Sequence, residues 1–70
     1  MKDVRSEVAG NVWKITTEVG QSVAEGDTLL IIESMKMEIP VEAPRSGTVR
    51  EIRVAEGQQV AEGAVVAVIG

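Results

Sequence analysis

Apolar positions along this chain come in short runs rich in Val and Ile, and glycine separates one run from the next. No window keeps the 3.6-residue spacing of an amphipathic helix, so the pattern predicts many short β-strands. Strands are expected at Val4–Val8, Asn11–Thr16, Thr28–Glu33, Met37–Val41, Thr48–Val54 and Val65–Ile69, with short pieces at Ser22–Val23 and Gln59–Val60. Turns are expected at Glu18–Gln21, Glu25–Asp27, Ala55–Gln58 and Glu62–Ala64, where a glycine can take positive φ. Pro40 and Pro44 suit strand ends or edges, where a missing N–H does little harm.

The pattern occurs twice. Gly10–Gly26 aligns with Gly47–Gly63 at a constant offset of 37 without a gap, and nine of the 17 aligned positions are identical. Average composition would give about one match. The chain is therefore a duplicated β unit, with repeats expected over 8–33 and 45–70 and a connecting hairpin over 33–38. Neither half can bury an apolar face alone, whereas two halves packed face to face can. The expected product is one domain over 1–70, an all-β flattened barrel or sandwich with approximate two-fold symmetry. Its termini should lie together at one end, with the connection at the other.

Composition narrows the chemistry. Seventy residues lie near the lower limit for a self-sufficient core. The chain has no cysteine and no histidine, so disulfides, thiolate metal sites and the commonest general base are all absent. No catalytic residue and no metal site is expected. The core must come from Val, Ile, Leu and Ala, because Trp13 is the only aromatic. Net charge is −4, and the seven Lys and Arg residues are scattered. Nucleic acid would need a clustered basic patch and stacking aromatics, so that partner class is excluded. Met1–Arg5 has no apolar leader-like region and no stretch reaches membrane-spanning length. A soluble, cytoplasmic chain without a membrane partner is the expectation.

The candidate chemistry lies at the join, in Glu33-Ser34-Met35-Lys36-Met37-Glu38. With Met35 and Lys36 as a two-residue turn, Ser34 pairs with Met37, Glu33 with Glu38 and Ile32 with Ile39. Glu33 and Glu38 are then like charges directly opposed. The favoured two-residue turns need positive φ, for which Met and Lys are poor choices. A local rule broken at a tip points to function. A lone surface lysine is ordinarily a solvated charge, and methionines beside it are ordinarily gap fillers. Here the methionines flank an exposed tip on the duplication axis. Schiff-base lysines need burial or a cationic neighbour, and Lys36 has carboxylates instead. It is expected to be an unactivated amine on which another protein acts.

These residues resemble a known family. Met35-Lys36-Met37 resembles the attachment motif of biotinyl domains, usually Ala-Met-Lys-Met, and Ala43-Pro44-Arg45-Ser46-Gly47-Thr48-Val49 resembles the Ala-Pro-x-x-Gly-x-Val segment that follows it. The resemblance to biotinyl/lipoyl attachment domains implies two four-stranded antiparallel sheets, the barrel-sandwich hybrid, with an exposed hairpin. It implies biotin joined to Lys36 by a biotin–protein ligase, with Met35 and Met37 as recognition residues and Glu33, Ser34 and Glu38 as candidates for ligase contacts. The loaded carrier would serve the biotin carboxylase and carboxyltransferase components of a carboxylase. Ser34 departs from the usual Ala, and Ser6-Glu7 stands where the second half has Ala43-Pro44. The gapless offset matches carriers without an inserted thumb, and a free-standing carrier, monomeric in isolation, is expected. Two alternatives stay open: a lipoyl carrier, or one bearing either group, for 2-oxo acid dehydrogenase-type enzymes, and an unmodified structural barrel-sandwich module.

Trp13 aligns with Arg50 rather than with a core position, so it is expected to be partly exposed on an outer sheet face. Iodide should quench its fluorescence in the folded protein; an unquenched signal would place it in the core.

Overall fold

Eight strands form in the computed structural model, which describes every residue from Met1 to Gly70. They are β1 (Lys2–Arg5), β2 (Gly10–Ile15), β3 (Ser22–Val23), β4 (Thr28–Ser34), β5 (Met37–Glu42), β6 (Gly47–Ile52), β7 (Gln59–Val60) and β8 (Val65–Ile69). The offset of 37 carries β2 onto β6 and β3 onto β7 with the same bounds. Two four-stranded antiparallel sheets result, in the orders β1-β8-β6-β3 and β5-β4-β2-β7. The same shift turns one order into the other. The all-β class and the paired sheets stand as expected. Lys2 pairs with Ile69, so the termini lie side by side.

The halves do not pack as separate layers. Each sheet takes two strands from each half, and the short strands are exchanged: β3 pairs with β6, and β7 with β2. The reason lies in the backbone of two fully buried valines. Val12 N–H donates to Gln58 O (2.8 Å) and Val12 O accepts from Gly57 N–H (2.7 Å). Their mates are Val49 N–H to Gln21 O (2.9 Å) and Gly20 N–H to Val49 O (2.8 Å). Gly20 and Gly57 take φ of 93° and 89°, a conformation open to glycine at no steric cost. A buried strand cannot leave these polar groups unpaired, so each half needs the turn of the other.

Thirteen buried residues make the core, all aliphatic; Leu29, Leu30, Ile32, Ile69, Val12, Val49 and Val66 are among its fully buried members. Burying each Leu, Ile or Val side chain contributes about 1.5–3 kcal/mol. Neighbouring strands of one sheet approach closely at the repeat starts, β6 against β8 and β2 against β4. A Cβ on Gly47 would stand 2.7 Å from Ile69 Cγ2 and 2.8 Å from Gly70 O, and Gly10 is confined in the same way by Ile32 and Glu33.

Strand boundaries differ from expectation by one or two residues at several ends, and most at the first strand. The first strand spans Lys2–Arg5 rather than Val4–Val8. Ser6 is buried, and its hydroxyl donates to Val8 O at 2.6 Å, which bends the backbone out of the ladder. The strand expected over Thr48–Val54 ends at Ile52, and that over Asn11–Thr16 ends at Ile15. Pro40 lies in β5, an edge strand, where its missing N–H is tolerated.

Thr17 Oγ1 is buried without a hydrogen-bond partner, and its repeat mate is Val54. Thr17→Val is expected to stabilise the fold by about 1 kcal/mol, raising the thermal midpoint by about 4–8 °C. Gly47→Ala should destabilise it by about 1–3 kcal/mol through overpacking. Thermal unfolding of the two variants checks both, and an unchanged Thr17→Val midpoint would mean that water already satisfies the hydroxyl.

Candidate functional site

β4 and β5 form the longest hairpin of the molecule, and its register is the expected one. Ile32 faces Ile39, Glu33 faces Glu38 and Ser34 faces Met37. Ile32 is fully buried and Ile39 half-buried, so this row anchors the hairpin to the core. The last pairing of β4 with its other neighbour is Glu33 with Asn11, and beyond it the hairpin stands clear of β2. Asn11 is a site neighbour that sequence reasoning did not single out; its repeat mate is Thr48, and nothing in the pattern marks it.

Met35 and Lys36 close the tip with φ of 52° and 64°, the chain's two non-glycine residues at positive φ. Positive φ at both central residues defines a type I′ turn. For an L-residue the left-handed region costs roughly 1–2 kcal/mol. The hairpin tolerates this because the paired rows beneath it leave two residues to span the gap. Met35 is 89% exposed and Met37 59%, so neither fills a gap in the core. Lys36 is exposed and takes part in neither of the two ion pairs, Arg5–Asp3 and Arg53–Glu51. Glu33 and Glu38 are exposed and directly opposed, with no cation within ion-pair distance of either.

All six residues singled out in the sequence thus meet on one hairpin end. Lys36 has no ion-pair partner, and the other polar side chains of the tip are Ser34 and the carboxylates of Glu33 and Glu38. The one sizeable concavity, about 360 Å³, lies between Arg5–Val8 and Ile39–Pro44 and includes neither Lys36 nor its methionines. Such a tip does not enclose a ligand. It holds a primary amine at a fixed point in solvent, which suits a covalently attached group that works in the active sites of other proteins.

Comparison with known proteins agrees with this geometry. The family described as "Biotin-requiring enzyme" matches residues 2–69. A biotin/lipoyl attachment protein of Bacillus subtilis is 47% identical over 62 residues, covering 89% of this chain and 85% of the relative. A biotinylated protein TB7.3 homologue of Mycobacterium leprae is 40% identical over 68 residues, covering 97% and 96%. Among solved structures, the Kluyveromyces lactis urea carboxylase contains a segment that superimposes with a TM-score of 0.95 at 42% identity, over 99% of this chain and 6% of that one. The chain belongs to the biotin/lipoyl attachment family. It is a biotin carrier domain, presented to other proteins rather than acting as a catalyst itself. It spans nearly the whole of its short relatives but about a twentieth of the carboxylases that contain a similar segment.

The strain at the tip is separable from the fold. Met35→Gly should stabilise the protein by about 1 kcal/mol, because glycine takes positive φ freely. Chemical denaturation reads the gain, and a loss of stability would show that the Met35 side chain packs after all.

Proposed function

We propose that Lys36 is the point of biotin attachment and that the loaded carrier moves carboxyl groups between the active sites of a biotin-dependent carboxylase. The observation that carries this reading is the tip itself: an exposed, unpaired lysine at positive φ between two exposed methionines, in a chain of this family. A biotin–protein ligase would join Lys36 Nζ to the biotin carboxyl carbon as an amide, with ATP driving the loss of water. When bound, biotin supplies a ureido nitrogen that takes up and releases a carboxyl group, and the protein supplies position and reach.

Each residue of the tip has a part in this. The type I′ turn aims the lysine away from both sheets. Met35 and Met37 give the ligase a soft apolar collar to recognise on either side of the amine. Ser34 is small and leaves the hairpin end narrow. Glu33 and Glu38 mark the hairpin with negative charge for a basic partner. Because relatives of this domain are built into a urea carboxylase and a pyruvate carboxylase, biotin carboxylase and carboxyltransferase components are the proposed partners. The carrier meets them as a monomer in the cytoplasm.

A second reading, attachment of lipoate to the same lysine, is favoured by one observation: the name of the Bacillus subtilis relative covers both groups. The methionines on both sides of Lys36 favour biotin.

Intact mass after incubation with ATP, biotin and a biotin–protein ligase, beside a parallel lipoylation reaction, tests the assignment. The expected gain is biotin minus water, absent in Lys36→Ala, whose stability stays within about 0.5 kcal/mol of the parent and whose thermal midpoint is almost unchanged. A lipoyl gain alone would transfer the protein to 2-oxo acid dehydrogenase-type enzymes. No gain in either reaction would leave a structural module.

A further inference from the structure

The internal two-fold supplies a control, because one backbone presents two equivalent outer faces with different side chains. On the β1-β8-β6 face the central residue is Val68, which is 2% exposed although it lies outside the core cluster. Its ladder neighbours are Asp3 and Glu51. Both carboxylates are paired, Asp3 with Arg5 at 3.7 Å and Glu51 with Arg53 at 3.0 Å. The hydrogen bond and charge of Glu51 hold the Arg53 guanidinium above its ordinary range. Arg50 lies against Gly70. This face closes on itself with matched charges.

The β5-β4-β2 face does not. Ile31 takes the place of Val68 and stays half-buried, with Lys14 and Pro40 as its ladder neighbours in place of Glu51 and Asp3. β2 and β6 carry matching bulges, between Val12 and Lys14 and between Val49 and Glu51, and each bulge leaves two successive residues exposed. In β6 these are Arg50 and Glu51; in β2 they are Trp13 and Lys14. Trp13 is 46% exposed, as its alignment with Arg50 led one to expect. The two-fold that carries Arg50 onto Trp13 carries Gly70 onto Glu33. Trp13 therefore occupies the position next to the hairpin, beside the unpaired Glu33–Glu38 row.

Resting on Lys36 as the modified residue, we infer that the Trp13–Ile31–Pro40 face is where the biotin–protein ligase docks, with an apolar patch over Trp13 and a basic side chain against Glu33 and Glu38. The ligase must close on Nζ itself and so must touch the strands that carry the tip. Ile31 lies about 10 Å along β4 from Ser34, within the footprint of an ordinary interface of about 800 Å² per partner. A half-exposed tryptophan near the centre of such a footprint is a favoured anchor. Two opposed carboxylates without a cation repel each other in the free carrier. A basic partner removes that repulsion, which gives this face a charge preference that the self-paired face lacks. A carboxylase component reaches the end of a long tether and has no equal need of the sheet.

The test exchanges side chains between the two faces. Trp13→Arg should lower kcat/KM for biotinylation by about tenfold or more, mainly through KM, with the thermal midpoint retained. The reciprocal Arg50→Trp should leave the rate at the parent value. Independently, the 19F resonance of the protein labelled with 5-fluorotryptophan, which reports Trp13 alone, should shift or broaden when ligase is added without ATP. Normal kinetics in a folded Trp13→Arg protein, or an unmoved resonance at saturating ligase, would overturn the docking face. Because the parent protein would still gain biotin at Lys36, that failure is distinct from a failure of the attachment site itself.

Discussion

The structure depends on one reciprocal constraint: the backbone of each buried valine on the two-fold is completed by the turn of the other half. Val12 exchanges hydrogen bonds with Gly57 and Gln58, and Val49 with Gly20 and Gln21. Leaving either set unmade would strand buried polar groups at roughly 1–3 kcal/mol each. The two halves therefore fold together or not at all. A core of thirteen aliphatic residues, with no aromatic and no disulfide, is sufficient because the exchange buries the inner apolar face of each half.

The site follows from the same interlock. β4 has the hydrogen-bonded neighbours β2 and β5, and it runs one residue past its last pairing with β2 before it turns. The buried Ile32 fixes the row below, so the tip has two residues in which to reverse, and both must take positive φ. A rigid platform thus holds a strained turn that neither Met35 nor Lys36 would choose in isolation. Strain of this kind persists only where the surroundings over-determine it. Its result is a fixed amine in solvent, the feature on which the proposed attachment at Lys36 rests.

Much of this was legible in the chain. The constant offset of 37 revealed the duplication, and the glycine punctuation located the turns and the two-residue strands. The hairpin register followed from placing Met35 and Lys36 as a two-residue turn, with Ile32 and Ile39 marking the core face. What was not legible was which strand pairs with which. Face-to-face halves and exchanged halves bury the same residues, and only backbone hydrogen bonding distinguishes them. The end of the first strand was also hidden, because it depends on whether the Ser6 hydroxyl turns to its own backbone. The β2 bulge at Trp13 left no mark either, since alternation continues on both sides of it.

By itself, then, the sequence determined the local terms: period-two alternation, glycines where φ must be positive, an aliphatic core list, and a Met-Lys-Met tip between the repeats. These are properties of residues and their near neighbours along the chain. Tertiary structure alone decided the exchange of short strands, the close approach of neighbouring strands at Gly10 and Gly47, and the contrast between two equivalent outer faces. Each of those depends on residues dozens of positions apart being brought within hydrogen-bond or van der Waals range, and one-dimensional spacing carries no record of that distance.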